Sequence, residues 1–160
     1  MQFSDEVMWS SSDFVVAAIG SYGALGAYKL LARLSSDSVF RAGYGFAIGG
    51  ALMLLWVNLA VGLTDSAADG FYLMVVAMAA VGLITLRERP ALLAIAMVAT
   101  ALAQALVGMV ALAMGIVPAH KSPVQILGLA ILFSAPFAIS ASFFRKAAQQ
   151  VGTRDADINT

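Results

Sequence analysis

The sequence contains no cysteine and a single histidine, His120. The absence of cysteine excludes a disulfide framework, a thiolate metal site and a cysteine nucleophile. One histidine excludes bis-histidine haem ligation within one chain. The serines and threonines have no catalytic base at a suitable spacing. We therefore predict a protein that is not an enzyme and that binds no metal or other cofactor.

Charged residues are also scarce, because only 11% of the chain is charged whereas 61% is hydrophobic. A typical soluble domain is about 25% charged and about 45–50% apolar. A soluble globule of this length would bury only about 70% of its surface, too little to hide so many apolar groups. The nine basic and nine acidic residues cancel, so no affinity for nucleic acid is expected. The composition predicts a partner of another kind, the lipid bilayer.

Five apolar segments predict an all-α membrane protein, a bundle of about five transmembrane helices. A helix needs about 20 residues to cross the hydrocarbon core, with a usual range of about 17–25. The third segment is the shortest, and whether it spans fully is open. We expect one transmembrane domain over residues 1–150 and a polar C-terminal tail over 151–160 that frays. The predicted spans are residues 14–34, 42–63, 71–86, 91–117 and 124–144.

The distribution of basic residues predicts the orientation of the bundle. No basic residue precedes the first segment, so we expect a retained helix and not a secretory signal. Eight of the nine basic residues fall on one side of the five-span arrangement, and Lys121 alone falls on the other. Since positive residues favour the cytoplasmic side, the N-terminus is predicted outside and the C-terminus in the cytoplasm.

Small residues follow the helix period in three of the segments, as in helices that pack closely in membranes. We expect these glycine- and alanine-rich faces to pack the helices of the bundle together, to mediate self-association, or to dock onto another membrane protein. The first segment carries Gly20, Gly23, Ala24 and Gly26, the second Gly45-x-x-x-Gly49 with Gly50, and the fourth Ala96, Thr100, Gln104, Gly108 and Ala111, then Gly115.

Polar residues at membrane depth are the candidate functional residues. No Asp, Glu or His falls inside a predicted span, which excludes an intramembrane carboxylate relay. Depth counting places Tyr22, Gln104 and Ser134 at similar heights, where convergence would give a polar path or a small-ligand pocket. The alternative is hydrogen bonding between helices that fixes their register. The whole candidate cluster is Tyr22, Asn58, Thr100, Gln104 and Ser134.

Pro136 lies near the middle of the fifth segment and is predicted to kink it. Its ring removes the hydrogen bond to the carbonyl of Leu132, and Ser134 is placed to bond a freed backbone group. Kinked helices occur in transporters and also in inert bundles.

Four stretches resemble a group of small bacterial integral membrane proteins of unassigned function. The two distinctive motifs are Trp56-Val57-Asn58 and Thr100 to Gln104. The resemblance implies a multi-pass protein of the bacterial inner membrane, and it brings no catalytic or binding residue. The stretches are Leu55 to Gly62, Ala99 to Ala113, Asp13 to Ala18 and Phe143 to Ala148.

Three functional hypotheses follow. The first is a non-enzymatic membrane protein that self-associates or serves as an accessory subunit of a larger complex. The second is a small channel or transporter for a neutral or weakly polar solute, using the polar cluster and the Pro136 kink. The third is a lipid-directed enzyme, for which the interfacial arginines are the only support; setting topology is the ordinary role of such residues. These arginines are Arg41, Arg87, Arg89 and Arg145.

Overall fold

The computed structural model describes residues 11–35, 37–61, 69–115 and 122–158. All regular secondary structure in this part of the chain is α-helix, and no strand is present there, as predicted. Four of its helices are long and apolar enough to cross a membrane, and α3 is shorter. The helices are α1 (Ser11–Arg33), α2 (Ser38–Val61), α3 (Asp69–Thr85), α4 (Pro90–Ala113) and α5 (Pro123–Ile158).

The helix starts have local causes that the sequence indicates. Asp37 caps α2, because its Oδ1 accepts the Val39 N–H at 2.9 Å. Pro90 occupies the first turn of α4, where its missing N–H costs little. At α5, Ser122 and Gln125 form a reciprocal capping box, with each side chain accepting the other residue's main-chain N–H.

The C-terminal ends of α4 and α5 lie at other residues than those of the predicted spans. α4 ends at Ala113, four residues before the predicted boundary, because Gly115 adopts a left-handed φ of 67°. Gly115 therefore terminates the helix and does not extend its small-residue face. α5 continues to Ile158, so the polar segment predicted as a frayed tail from residue 151 is helical up to that residue. His120 lies outside the described residues.

The main contacts of α5 are with α4 and α2. α4 and α5 form the most extensive contact, and the contact between α2 and α5 is the next most extensive. α3 packs against α2 and α4, whereas α1 packs chiefly on α2 and is the least buried of the four long helices. The result is a compact group of α2 to α5 with α1 attached at one edge.

Two apolar clusters show that α3 runs from one end of this group to the other. The early residue Tyr72 of α3 packs with Leu54 late in α2. The late residue Leu83 of α3 belongs to a second cluster with Tyr44, early in α2, and with Phe144 of α5. α3 has 17 residues, a length of about 25 Å at about 1.5 Å per residue. The shortest helix therefore still connects the two ends.

The closest helix approaches are made at three glycines. A Cβ atom at Gly50 would lie 2.7 Å from the Pro136 ring, and one at Gly108 would lie 2.8 Å from the Ala130 methyl group. A Cβ atom at Gly43 would lie 2.7 Å from the Phe144 ring. Gly49, one of the two glycines of the predicted motif, faces open space. On α2 the packing face thus follows the seven-residue spacing of Gly43 and Gly50.

Candidate functional site

Gln104 belongs to the predicted polar cluster and is almost completely buried. Its side chain is 1% exposed, and its Oε1 accepts no hydrogen bond from the described residues. It lines a cavity of about 10 Å³ beside Tyr72 and Phe133. A single water molecule needs about 10–15 Å³ by this measure. The cavity therefore has room for roughly one water and for no larger solute.

Thr100, one turn before Gln104, is fully buried and satisfied within its own helix. Its Oγ1 donates to the carbonyl oxygen of Ala96 at 2.9 Å. Such bonds to the preceding turn satisfy a hydroxyl without linking helices. Four residues of the predicted small-residue face of α4 are buried in the bundle, namely Thr100, Gln104, Gly108 and Ala111, and Ala96 is half-buried. This face joins α4 to its neighbours.

Ser134 is also bonded within its own helix. Its Oγ donates to the carbonyl oxygen of Ala130 at 2.7 Å and not to the Leu132 carbonyl that Pro136 frees. Pro136 lies inside the continuous α5 and packs against Gly50. The kink at Pro136 stays a prediction.

Tyr22 does not join the other polar residues. Its side chain is 76% exposed on α1, a helix that packs chiefly on α2 and not on α4. Its neighbour Ser21 faces α2 instead, where Ser21 Oγ accepts a hydrogen bond from Trp56 Nε1 at 3.3 Å. Asn58 is half-buried near the end of α2. Thr100 and Ser134 are thus each bonded within their own helix and Tyr22 is exposed, so these three residues do not converge as predicted.

Sequence reasoning missed two hydrogen bonds that join α2 to α5 and to the turn after α3. Ser140 is fully buried on α5, and its Oγ donates to the carbonyl oxygen of Gly43 at 2.7 Å. The hydroxyl of Tyr44 donates to the carbonyl oxygen of Arg87 at 2.7 Å. Ser140 lies on the same face of α5 as Phe137 and Phe144. A serine within a face of large apolar residues is the sequence pattern that indicates a buried, hydrogen-bonded hydroxyl.

These two bonds bring the basic residues to one end of the bundle, which we call the basic end. They bring the start of α2, the turn between α3 and α4, and the second half of α5 together. α1 ends at the same place, because only a short turn separates it from α2. The basic side chains placed there by the described part of the chain are Lys29, Arg33, Arg41, Arg87, Arg89, Arg145 and Lys146.

A cleft of about 240 Å³ separates α1 from α3 and is floored by α2. Four of the five α1 residues on its wall are small, including Gly20 and Gly23, and Ala80 lies on the α3 wall. The lining is almost wholly apolar. Small residues leave space for a close backbone approach in a membrane. We call this space the α1–α3 cleft.

Comparison of the chain with protein-family models, curated proteins and solved structures finds no match. Among the described residues, no group of three His, Asp or Glu side chains could hold a metal ion. The candidate functional features of the described chain are thus the Gln104 cavity, the α1–α3 cleft and the basic end.

Proposed function

We propose that this chain is a non-enzymatic multi-pass membrane protein that self-associates through the α1–α3 cleft. The observation that supports the proposal is the position of α1, which packs chiefly on α2 and leaves Gly23 exposed along the cleft. An unfilled apolar cleft with glycines on its wall fits the side chains and backbone of a further transmembrane helix. α1 is itself such a helix, so a second copy carries a complementary surface.

The proposed orientation has five spans, with the basic end in the cytoplasm of a bacterial inner membrane and the N-terminus outside. The support is the gathering of the described basic side chains at one end, in agreement with the positive-inside rule. α3 connects the two ends of the bundle although it is short, which supports five spans over four.

Substitution of Gly23 by leucine tests the proposal, with Gly26→Leu as the matched control. A Cβ atom at either glycine would meet nothing within 4 Å, so both variants should fold. Gly23 lines the cleft, whereas Gly26 does not. Native mass spectrometry after gentle extraction should show oligomers for the wild type and for Gly26→Leu, and monomers for Gly23→Leu.

Two results would change the proposal. A monomeric wild type without any partner would remove the support for association. A wild type bound to a different membrane protein, released by Gly23→Leu, would assign the cleft to that protein and make the chain an accessory subunit.

A further inference from the structure

A second apolar groove lies between α4 and α5 on a different side of the bundle. It has a volume of about 730 Å³. Half of the lining residues are alanines, contributed by both helices, among them Ala94, Ala138 and Ala141. Arg145 and Gln149 lie at one end of the groove and make it amphipathic.

The polar end of the groove belongs to the basic end of the bundle. Gly108 of α4 approaches Ala130 of α5, and the groove lining pairs the start of α4 with the second half of α5, so the two helices are antiparallel. Counting back along α4 from Gly108 to Ala91, and forward along α5 from Ala130 to Ala147, covers the same number of residues. Ala91, at the start of α4, therefore lies level with Ala147, which is close to Arg145. Ala91 and Arg145 both line the groove.

Two positive features therefore meet at this end of the groove. Arg89 precedes α4 and makes no side-chain capping hydrogen bond, so the first-turn N–H groups stay available to an anion. Arg145 is exposed and makes no ion pair with the described carboxylates. The carboxylate side chains whose placement the structure describes are Glu88, which pairs with Arg87, and Asp37, which caps α2.

We propose that the α4–α5 groove binds one anionic phospholipid. The acyl chain lies along the alanines, and the headgroup phosphate binds the Arg145 guanidinium and the start of α4. Basic sites between transmembrane helices at the cytoplasmic side suit such headgroups. From Ala138 to Gln149 the groove follows α5 for about 16 Å at about 1.5 Å per residue, enough for part of an acyl chain.

A lipid fits this groove better than a second copy of the chain does. A helix packed on Arg145 would have to supply a carboxylate, because an unpaired buried charge is costly. No predicted span of this sequence contains Asp or Glu. A lipid phosphate supplies the missing charge and stays close to water.

Native mass spectrometry of the purified protein with added lipid tests this site. The probes are phosphatidylglycerol and phosphatidylcholine with identical acyl chains. The wild type should retain one phosphatidylglycerol in preference to phosphatidylcholine. Arg145→Gln should lose this preference, whereas the control Lys146→Gln, which changes the adjacent basic residue outside the groove lining, should keep it.

A second pair of variants tests the acyl-chain part of the site. Ala138→Leu fills the groove at an exposed position and should abolish retention of the lipid. Ala99→Leu, at an exposed α4 position outside the lining, should retain it. Equal retention of both lipids by the wild type, or an unchanged preference in Arg145→Gln, would overturn the proposal. A dimer that Ala138→Leu disrupts would assign the groove to a second copy and would equally overturn it.

Discussion

The hydroxyl of Tyr44 on α2 donates a hydrogen bond to the main-chain oxygen of Arg87, 2.7 Å away in the turn that follows α3. The Tyr44 ring is packed at the same time against Phe40 and Phe144, with centroid distances of 5.0 and 5.3 Å. This contact fixes the start of α2 beside the start of α4. It therefore requires α3 to return the chain from one end of the bundle to the other.

Removing this hydroxyl should destabilise the bundle without opening a cavity. Tyr44→Phe keeps the ring contacts but takes away the donor to the Arg87 carbonyl oxygen. We expect the free energy of unfolding to fall by about 0.5–1.5 kcal/mol, measured by denaturant titration in mixed micelles. Tyr28→Phe, at a partly exposed position, is the control and should leave the free energy unchanged. Equal effects of the two variants would contradict the role of the Tyr44 bond.

The glycines of α2 should differ sharply in their tolerance of alanine. In Gly50→Ala the new methyl group would meet the rigid Pro136 ring at 2.7 Å, so α2 and α5 must move apart. Overpacking of this kind costs about 1–3 kcal/mol. Gly49→Ala meets open space and should be neutral or slightly stabilising, since alanine favours the helix. Equivalent unfolding midpoints for the two variants would contradict the α2–α5 packing described here.

The class of fold could be predicted from the sequence because hydropathy and breaks between helices are local properties. The capping role of Asp37 and the early position of Pro90 in α4 follow from nearby residues alone. The C-terminal end of α4 was predicted too late in the sequence, because the apolar run continues past Gly115. The left-handed φ of that glycine, and not the hydropathy, ends the helix.

The choice of packing residues depends on neighbouring helices and was therefore harder to predict. Gly45 and Gly49 match a common spacing, but the shape of α5 places Pro136 against Gly50 instead. Tyr22 lies at the depth of Gln104, yet depth gives no information about the side of α1 on which a residue lies. The Gln104 face of α4 was predictable because its small and polar residues share one helical period.

Gln104 provides a test between packing and transport. Gln104→Leu keeps most of the side-chain volume and removes the unpaired Oε1, whose burial costs about 1–3 kcal/mol. We expect the unfolding free energy to stay level or rise, and liposome flux of small neutral solutes to remain at the background of protein-free vesicles. Gln104→Ala, which enlarges the cavity, should be less stable than Gln104→Leu. Solute flux above background that Gln104→Leu abolishes would favour the channel hypothesis.

The two ends of α3 should label from opposite sides of the membrane. The wild type contains no cysteine, so single cysteines can be introduced into an unreactive background. Gly70→Cys lies at the start of α3 in open space, and Glu88→Cys lies in the exposed turn after it. An impermeant maleimide should label Gly70→Cys in intact spheroplasts and Glu88→Cys only after permeabilisation. Labelling of both positions from one side would show that α3 does not cross.

Site-directed photo-crosslinking in native membranes tests the proposed self-association most directly. A benzophenone maleimide attached to Ala80→Cys would lie on the wall of the α1–α3 cleft, whereas the same probe on Ala77→Cys would lie on an exposed part of α3 outside the cleft lining. The proposal predicts a crosslinked dimer of this chain from Ala80→Cys and little or none from Ala77→Cys. Crosslinks only to lipid from Ala80→Cys, or equal dimer yields from both positions, would contradict it.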